Sequence, residues 1–200
     1  MVRKVVILFL GLLCSVSITQ SQERRDGLIR AGLGLRLGNS AVMSGFYAGG
    51  GLEYYLDDRI SIEGEGNYYL GHLGDSINYN VVNNHSLLAG PNIHFSRSTG
   101  IDPYAGVKVG VALTEMNPLE HEPGSPCYEK LQVDPLVAFQ LGFNYYTEKY
   151  FHLFMEGGYA IHKHTTAANP SMNLNELSFK FGLGMHVGWF CKKEAPQLDQ

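Results

Sequence analysis

The sequence predicts an all-β chain: an eight-stranded antiparallel up-and-down transmembrane β-barrel that follows an N-terminal signal peptide. Three observations predict it. Eight segments alternate apolar and polar residues with a period of two, one of the two faces so defined carries no charge, and tight connections alternate with longer ones. Composition agrees. Only 17% of residues are charged and mean hydropathy is near zero, which suits strands whose apolar and polar faces cancel in the average. The formal net charge of -4, with no basic run beyond Arg24-Arg25 and Lys192-Lys193, gives no signal for nucleic acid.

The first element is the export signal, residues 1–21. Arg3 and Lys4 supply its positive end, Val5 to Ile18 its apolar stretch, and Ser15, Ser17, Thr19 and Ser21 the small residues a signal peptidase requires. The apolar stretch is short for a membrane-spanning helix. Leu13 stands where a lipid-attachment motif wants a small residue, so Cys14 is not expected to be acylated. The other cysteines, Cys127 and Cys191, fall at opposite ends of the predicted barrel and are expected to stay unpaired.

The strands are expected at 28–37, 45–56, 60–70, 86–96, 104–114, 137–146, 151–162 and 177–189, within a barrel domain of 22–190. Each is long enough to cross a bilayer at a tilt. The last alternates most clearly, with Leu177, Phe179, Phe181, Leu183, Met185, Val187 and Trp189 on one face and Ser178, Lys180 and His186 among glycines on the other. Across all eight, the first face carries only apolar groups such as Leu33, Leu52, Ile62, Ile93, Val109, Leu141 and Leu153. The second face holds Arg30, Arg36, Glu53, Glu63, Glu65, Lys108, Glu156 and Lys180 with many glycines, Asn92, Gln140 and Asn144. Four basic groups thus meet four carboxylates. Eight strands enclose a space that side chains just fill, so these eight residues are expected to form an ion-paired lumen network. Tyr54, Tyr68, Phe95, Tyr145, Phe151, Tyr159 and Trp189 lie near strand ends, as interfacial girdles do.

The connections supply a separate test. Asp57–Arg59, Arg97–Pro103 and Thr147–Tyr150 are tight, whereas Gly38–Ser44, Gly71–His85, Glu115–Leu136 and Lys163–Glu176 are longer. Periplasmic turns and longer extracellular loops give that alternation in an outer-membrane barrel. Pro91 stands out inside the fourth segment, where it cannot donate a ladder hydrogen bond; with Gly90 beside it, a β-bulge or kink is expected.

The segments 88–95, LAGPNIHF, and 103–111, PYAGVKVGV, together with the terminal Gly188-Trp189-Phe190, resemble the small bacterial outer-membrane β-barrels of the OmpA/OmpX and PorT-like kind. The resemblance implies residence in the outer membrane, lipid as surroundings, and barrel-assembly machinery as the biogenesis partner. Trp189 and Phe190 would be the terminal signal that machinery reads. Residues 191–200 extend past that signal as a short periplasmic tail, too short for a peptidoglycan-binding domain.

His72, His85, His121, His162 and His164 fall in or beside the longer loops, near Glu120, Glu122 and Cys127, without metal-ligand spacing, although His162 and His164 would share one side of a strand. His94-Phe95-Ser96 matches the His-x-Ser pair of lipid A deacylating barrels. It lies on the polar face at the periplasmic end, with no glutamate downstream before Glu115, which argues against catalysis. The sequence therefore assigns no enzyme activity, cofactor or metal. It predicts a monomeric scaffold acting through extracellular loops, whose partner it does not specify. The alternatives are a narrow porin-like channel, a lipid A-modifying barrel and, for the fold itself, a soluble lipocalin-type barrel.

Overall fold

The computed structural model describes residues 28–41, 43–73, 81–95, 100–116, 131–147, 151–164 and 172–187. The predicted signal peptide, Cys14, Glu120, His121, Glu122, Cys127, Trp189, Phe190, Cys191 and the tail lie outside the described residues. Eight long strands make up the described chain: β1 (Ile29–Ser40), β2 (Ser44–Tyr55), β3 (Ile60–His72), β4 (Val81–His94), β5 (Ile101–Met116), β6 (Gln132–Tyr146), β7 (Phe151–His164) and β8 (Glu176–His186). A two-residue pairing, Met172–Asn173 on the end of β7, precedes β8. Each strand pairs antiparallel with its neighbours in sequence, and β8 closes the cylinder on β1 from Arg30↔His186 to Ser40↔Glu176. Among the described residues none of the eight long strands is left as an unpaired edge, which is how a sheet satisfies its backbone groups in lipid.

The alternation read from the sequence is the alternation of the walls. Leu33, Leu52, Ile62, Ile93, Val109, Leu141 and Leu177 are exposed, while Arg30, Glu65, Asn92, Lys108, Gln140 and Lys180 are buried. Leu33 is 75% exposed and Lys108 is 1% exposed, the reverse of a soluble barrel. The apolar exterior is a lipid-facing belt, and the soluble lipocalin-type alternative falls with it. By strand parity the outer face does carry two charged residues, Glu115 and Lys163, both at the loop ends of strands and beyond the segments expected from the sequence. Tyr54, Phe95, Tyr145 and Phe151 stand outside near the short-turn rim, and Tyr68 and Tyr159 in the other half.

Two expectations are corrected. Pro91 makes no bulge. It pairs with Ile62 on β3 in an unbroken register, and the β4–β5 ladder stops at Ala89↔Val109 and resumes in the same register at Asn92↔Gly106. Pro91 has no N–H to give the β5 ladder, and the pairing is interrupted there without a change of register. The irregularities fall near the loop end instead, between Phe46 and Tyr47 and between Val81 and Asn83. The connection expected over Gly38–Ser44 is also tighter than the other loops on its side, because β1 continues to Ser40 and the Ser40 N–H donates to the Met43 carbonyl at 2.8 Å. The connections 73–80, 117–131 and 165–175 on that side exceed 56–59 and 147–150 on the other.

Gly90 and Gly110 show how closely β4 and β5 approach. A Cβ at Gly90 would run into the Val107 carbonyl, and one at Gly110 into the Leu87 carbonyl. Gly110→Ala is therefore expected to destabilise the folded barrel by about 1–3 kcal/mol, read as a lower urea midpoint in detergent micelles. Gly64→Ala faces open space on the outer wall and is expected to leave the midpoint unchanged.

Candidate functional site: the polar lumen

The inner wall carries its chemistry at three heights. At mid-height, Glu65 of β3 lies between two ammonium groups, Lys108 of β5 and Lys180 of β8, the latter at 2.9 Å. Lys108 also reaches Glu63 at 2.9 Å, and Lys180 reaches Glu156 at 3.7 Å. The Asn67 side chain donates to Glu65, and the Tyr104 hydroxyl donates to Glu156 at 3.0 Å. The sheet register explains why these groups need one another. Glu53 stands directly across from Glu63, and Arg36 across from Lys180, so like charges face each other along two ladders, while Glu156 stands across from Lys180 and Glu65 is reached by Lys180 from across the lumen.

Toward the short turns a second cluster forms. Arg30 pairs with Glu53, its cross-strand neighbour, and lies 3.8 Å from Asp102. His94 is sealed between the same two carboxylates, with Nδ1 3.0 Å from Asp102 Oδ2 and Nε2 3.0 Å from Glu53 Oε1. Asn92 donates to Glu63 at 2.8 Å and to Glu53 at 3.2 Å, which joins this cluster to the mid-height network. Gln140 donates to Asn92 and to Glu63. The cavity between Arg30, Glu53, Glu63, Tyr104, His152 and Phe154 measures about 40 Å³, space for roughly two or three waters.

Toward the loops, Arg36 pairs with Glu176, whose other oxygen accepts from the Tyr47 hydroxyl at 2.7 Å. Beside them the mouth is filled by an apolar plug of Met43, Tyr47, Tyr69, Val81 and Leu174, each at most 5% exposed. Further down, Leu88, Ala112, Leu136 and Ala160 form an apolar patch on the inner face of β4 to β7.

All eight residues expected in the lumen therefore face inward and meet partners there. The count differs from the expected four against four: Asp102, Asp134 and Glu176 also face inward, so four basic side chains meet seven carboxylates. Those three lie at strand ends outside the segments read from the sequence. Extending the same alternation would have found them, since Asp102 shares parity with Lys108, Asp134 with Gln140 and Glu176 with Lys180. His94 and His164 stand against the surplus carboxylates.

A Ser–His–Asp arrangement is present but sealed. Ser61 Oγ lies 3.1 Å from His94 Nε2, on the far side of the ring from Asp102. Ser61 is fully buried and its hydroxyl donates to Glu53 at 2.5 Å, which leaves no approach for a substrate carbonyl. Ser96, the partner considered with His94 from sequence, lies outside the described residues.

Solved structures share this architecture. The chain superposes on OprG from Pseudomonas aeruginosa with a TM-score of 0.57 at 14% identity, covering 84% of this chain and 99% of that one. For Neisserial surface protein A the TM-score is 0.54 at 16% identity, over 80% and 95% of the two chains. The fold is that of the small outer-membrane β-barrels. AlkL in lipid bilayers matches across 91% of this chain and 98% of its own at a TM-score of 0.50 and 16% identity. No family model and no curated protein matches the sequence. The apolar belt is the outer wall of a membrane-spanning barrel, and the three clusters fill its described lumen.

Proposed function

We propose that the barrel is a closed scaffold, held in outer-membrane lipid as a monomer, that works through the surface made by its longer connections. One observation carries this reading: the lumen is obstructed at every height, by ion pairs at the centre, a polar cluster toward the turns and an apolar plug toward the loops. Buried lysines and carboxylates bridging opposite walls are expensive to separate, because each would be left desolvated and alone. Connections carried at one end of a rigid wall are also where binding surfaces are commonly built. The barrel-assembly machinery is its partner during insertion, and no enzyme activity is part of this reading, since the sole Ser–His–Asp grouping among the described residues is sealed.

The narrow-channel alternative makes the opposite demand, that these bridges part. Planar-bilayer recordings are expected to be electrically silent for the wild-type protein across moderate voltages and salt concentrations. Reproducible unitary steps in such recordings would sink the closed-scaffold reading. Pull-down with a peptide covering 117–131, set against protease shaving of intact cells, then tests whether the exposed end is the binding surface.

A further inference from the structure

The loop end of the lumen contains a pair of imidazoles that the closed scaffold does not use. β7 ends His162-Lys163-His164, and strand alternation turns both histidines inward while Lys163 points out. The side chains are nearly buried, at 5% exposed for His162 and 3% for His164. They differ in their partners. His164 Nδ1 sits 2.9 Å from Asp134 Oδ2, on the facing strand β6. Neither ring nitrogen of His162 has a hydrogen-bond partner. A buried imidazole with both nitrogens unmet is costly, and such a group in a native fold calls for a ligand.

The surroundings narrow the ligand to a cation. The titratable groups whose field reaches His162 are Asp134, Arg36 and His164, and Arg36 is paired with Glu176. Asp134 adds a carboxylate in contact with His164, and two imidazoles turned to one side of a strand are a donor set for a metal cation. The backbone there is fixed: the His162 N–H donates to the Asn175 side chain at 3.2 Å, and its carbonyl accepts from Leu174 at 3.0 Å.

We propose that His162 and His164 bind a divalent transition-metal ion of zinc-like character at the loop end of the lumen, with Asp134 as a positioning residue behind His164. Residues two apart on a strand have Cα atoms roughly 6.6 Å apart, and nitrogens about 2.0–2.1 Å from one zinc ion can converge from that spacing. The Asp134 contact holds His164 Nδ1 and presents Nε2 to the metal, the usual way a carboxylate orients a ligating imidazole. Water or a group from outside the barrel completes the coordination. Glu63, Glu65 and Glu156 also bring carboxylate oxygens within 4.8 Å of one another, but Lys108 and Lys180 occupy the space between them and no ion is needed there.

Calorimetric titration of zinc into the full-length protein, folded in detergent near neutral pH, tests the site. One saturable zinc per barrel is expected. His162→Gln and His164→Gln should each weaken binding at least ~10-fold, and Asp134→Asn by about 10- to 100-fold. His85→Gln, on the Tyr68 side of the rim, should leave it unchanged. Imidazole NMR resonances of the wild-type protein provide a readout that does not depend on variants folding: zinc should shift the signals of His162 and His164. No saturable binding and no shift would overturn the proposal. So would zinc binding that persists undiminished in the folded His162→Gln/His164→Gln protein.

Discussion

Glu65→Ala is expected to lower the stability of the folded barrel by about 3–5 kcal/mol, measured as the shift in urea unfolding in micelles or bilayers. Glu65 is the carboxylate that Lys108 and Lys180 share, and it sits 5% exposed at the centre of the lumen. Its removal leaves Lys180 with Glu156 at 3.7 Å and Lys108 with Glu63 alone, so two desolvated ammonium groups lose their common counter-ion. The cost comes mostly from stranding those charges, not from losing a favourable bond. Replacing the group as a whole should therefore be milder: Glu65→Leu with Lys180→Met is expected to recover much of the loss. A Glu65→Ala barrel within 1 kcal/mol of wild type would mean that water reaches the lysines freely. That outcome would count against a closed lumen as well as against this estimate.

Val109→Arg acts on the opposite wall. Val109 lies midway along β5 and is 61% exposed on the belt. An arginine at the hydrocarbon midplane is expected to destabilise the barrel by about 2–4 kcal/mol, and near an interface by about 0–1 kcal/mol. Ile101, the first residue of the same strand on the same face, supplies the interface case. Ile101→Arg and Val109→Arg, compared by urea unfolding in lipid bilayers, should differ by most of that range. Equal effects would show that Val109 is not at hydrocarbon depth.

The strands were legible in the sequence because the chain meets two unlike solvents, and a period of two sorts its residues between them. Leu177 to Met185 against Ser178 to Gly184 needs no tertiary knowledge to read. Strand ends were less legible. β4 begins at Val81 and β6 at Gln132, five residues before the segments read from alternation, because near the loops the outer face admits Asn83, Glu115 and Lys163 and the contrast fades. That is how Asp134 and Glu176 escaped the charge count; Asp102 lies at the turn end, two residues before the fifth segment. Partners were not legible at all. Register fixes which residues stand opposite, and it sets Arg36 against Lys180, so Arg36 pairs diagonally with Glu176 on that same neighbouring strand while Lys180 reaches across the lumen to Glu65. The apolar plug was hidden for a related reason: Met43 and Leu174 belong to connections, and only closure brings them to Tyr47 and Tyr69.

The ion pairs that join the ends of the chain have a consequence for how this protein reaches its membrane. Arg36 and Glu176 are 140 residues apart, and Lys180 on the last strand finds Glu65 on the third. A sheet that has not yet curled shut holds these four charges without those counter-ions, facing whatever lies on its concave side. In hydrocarbon that is a forbidding state, so lipid opposes an open intermediate while an aqueous or protein-lined chamber tolerates it. Contacts of such long sequence separation are also slow to form. Sealing of β8 against β1 is thus the step at which the chain commits to its membrane, and it is governed by residues that lie nowhere near each other in the sequence.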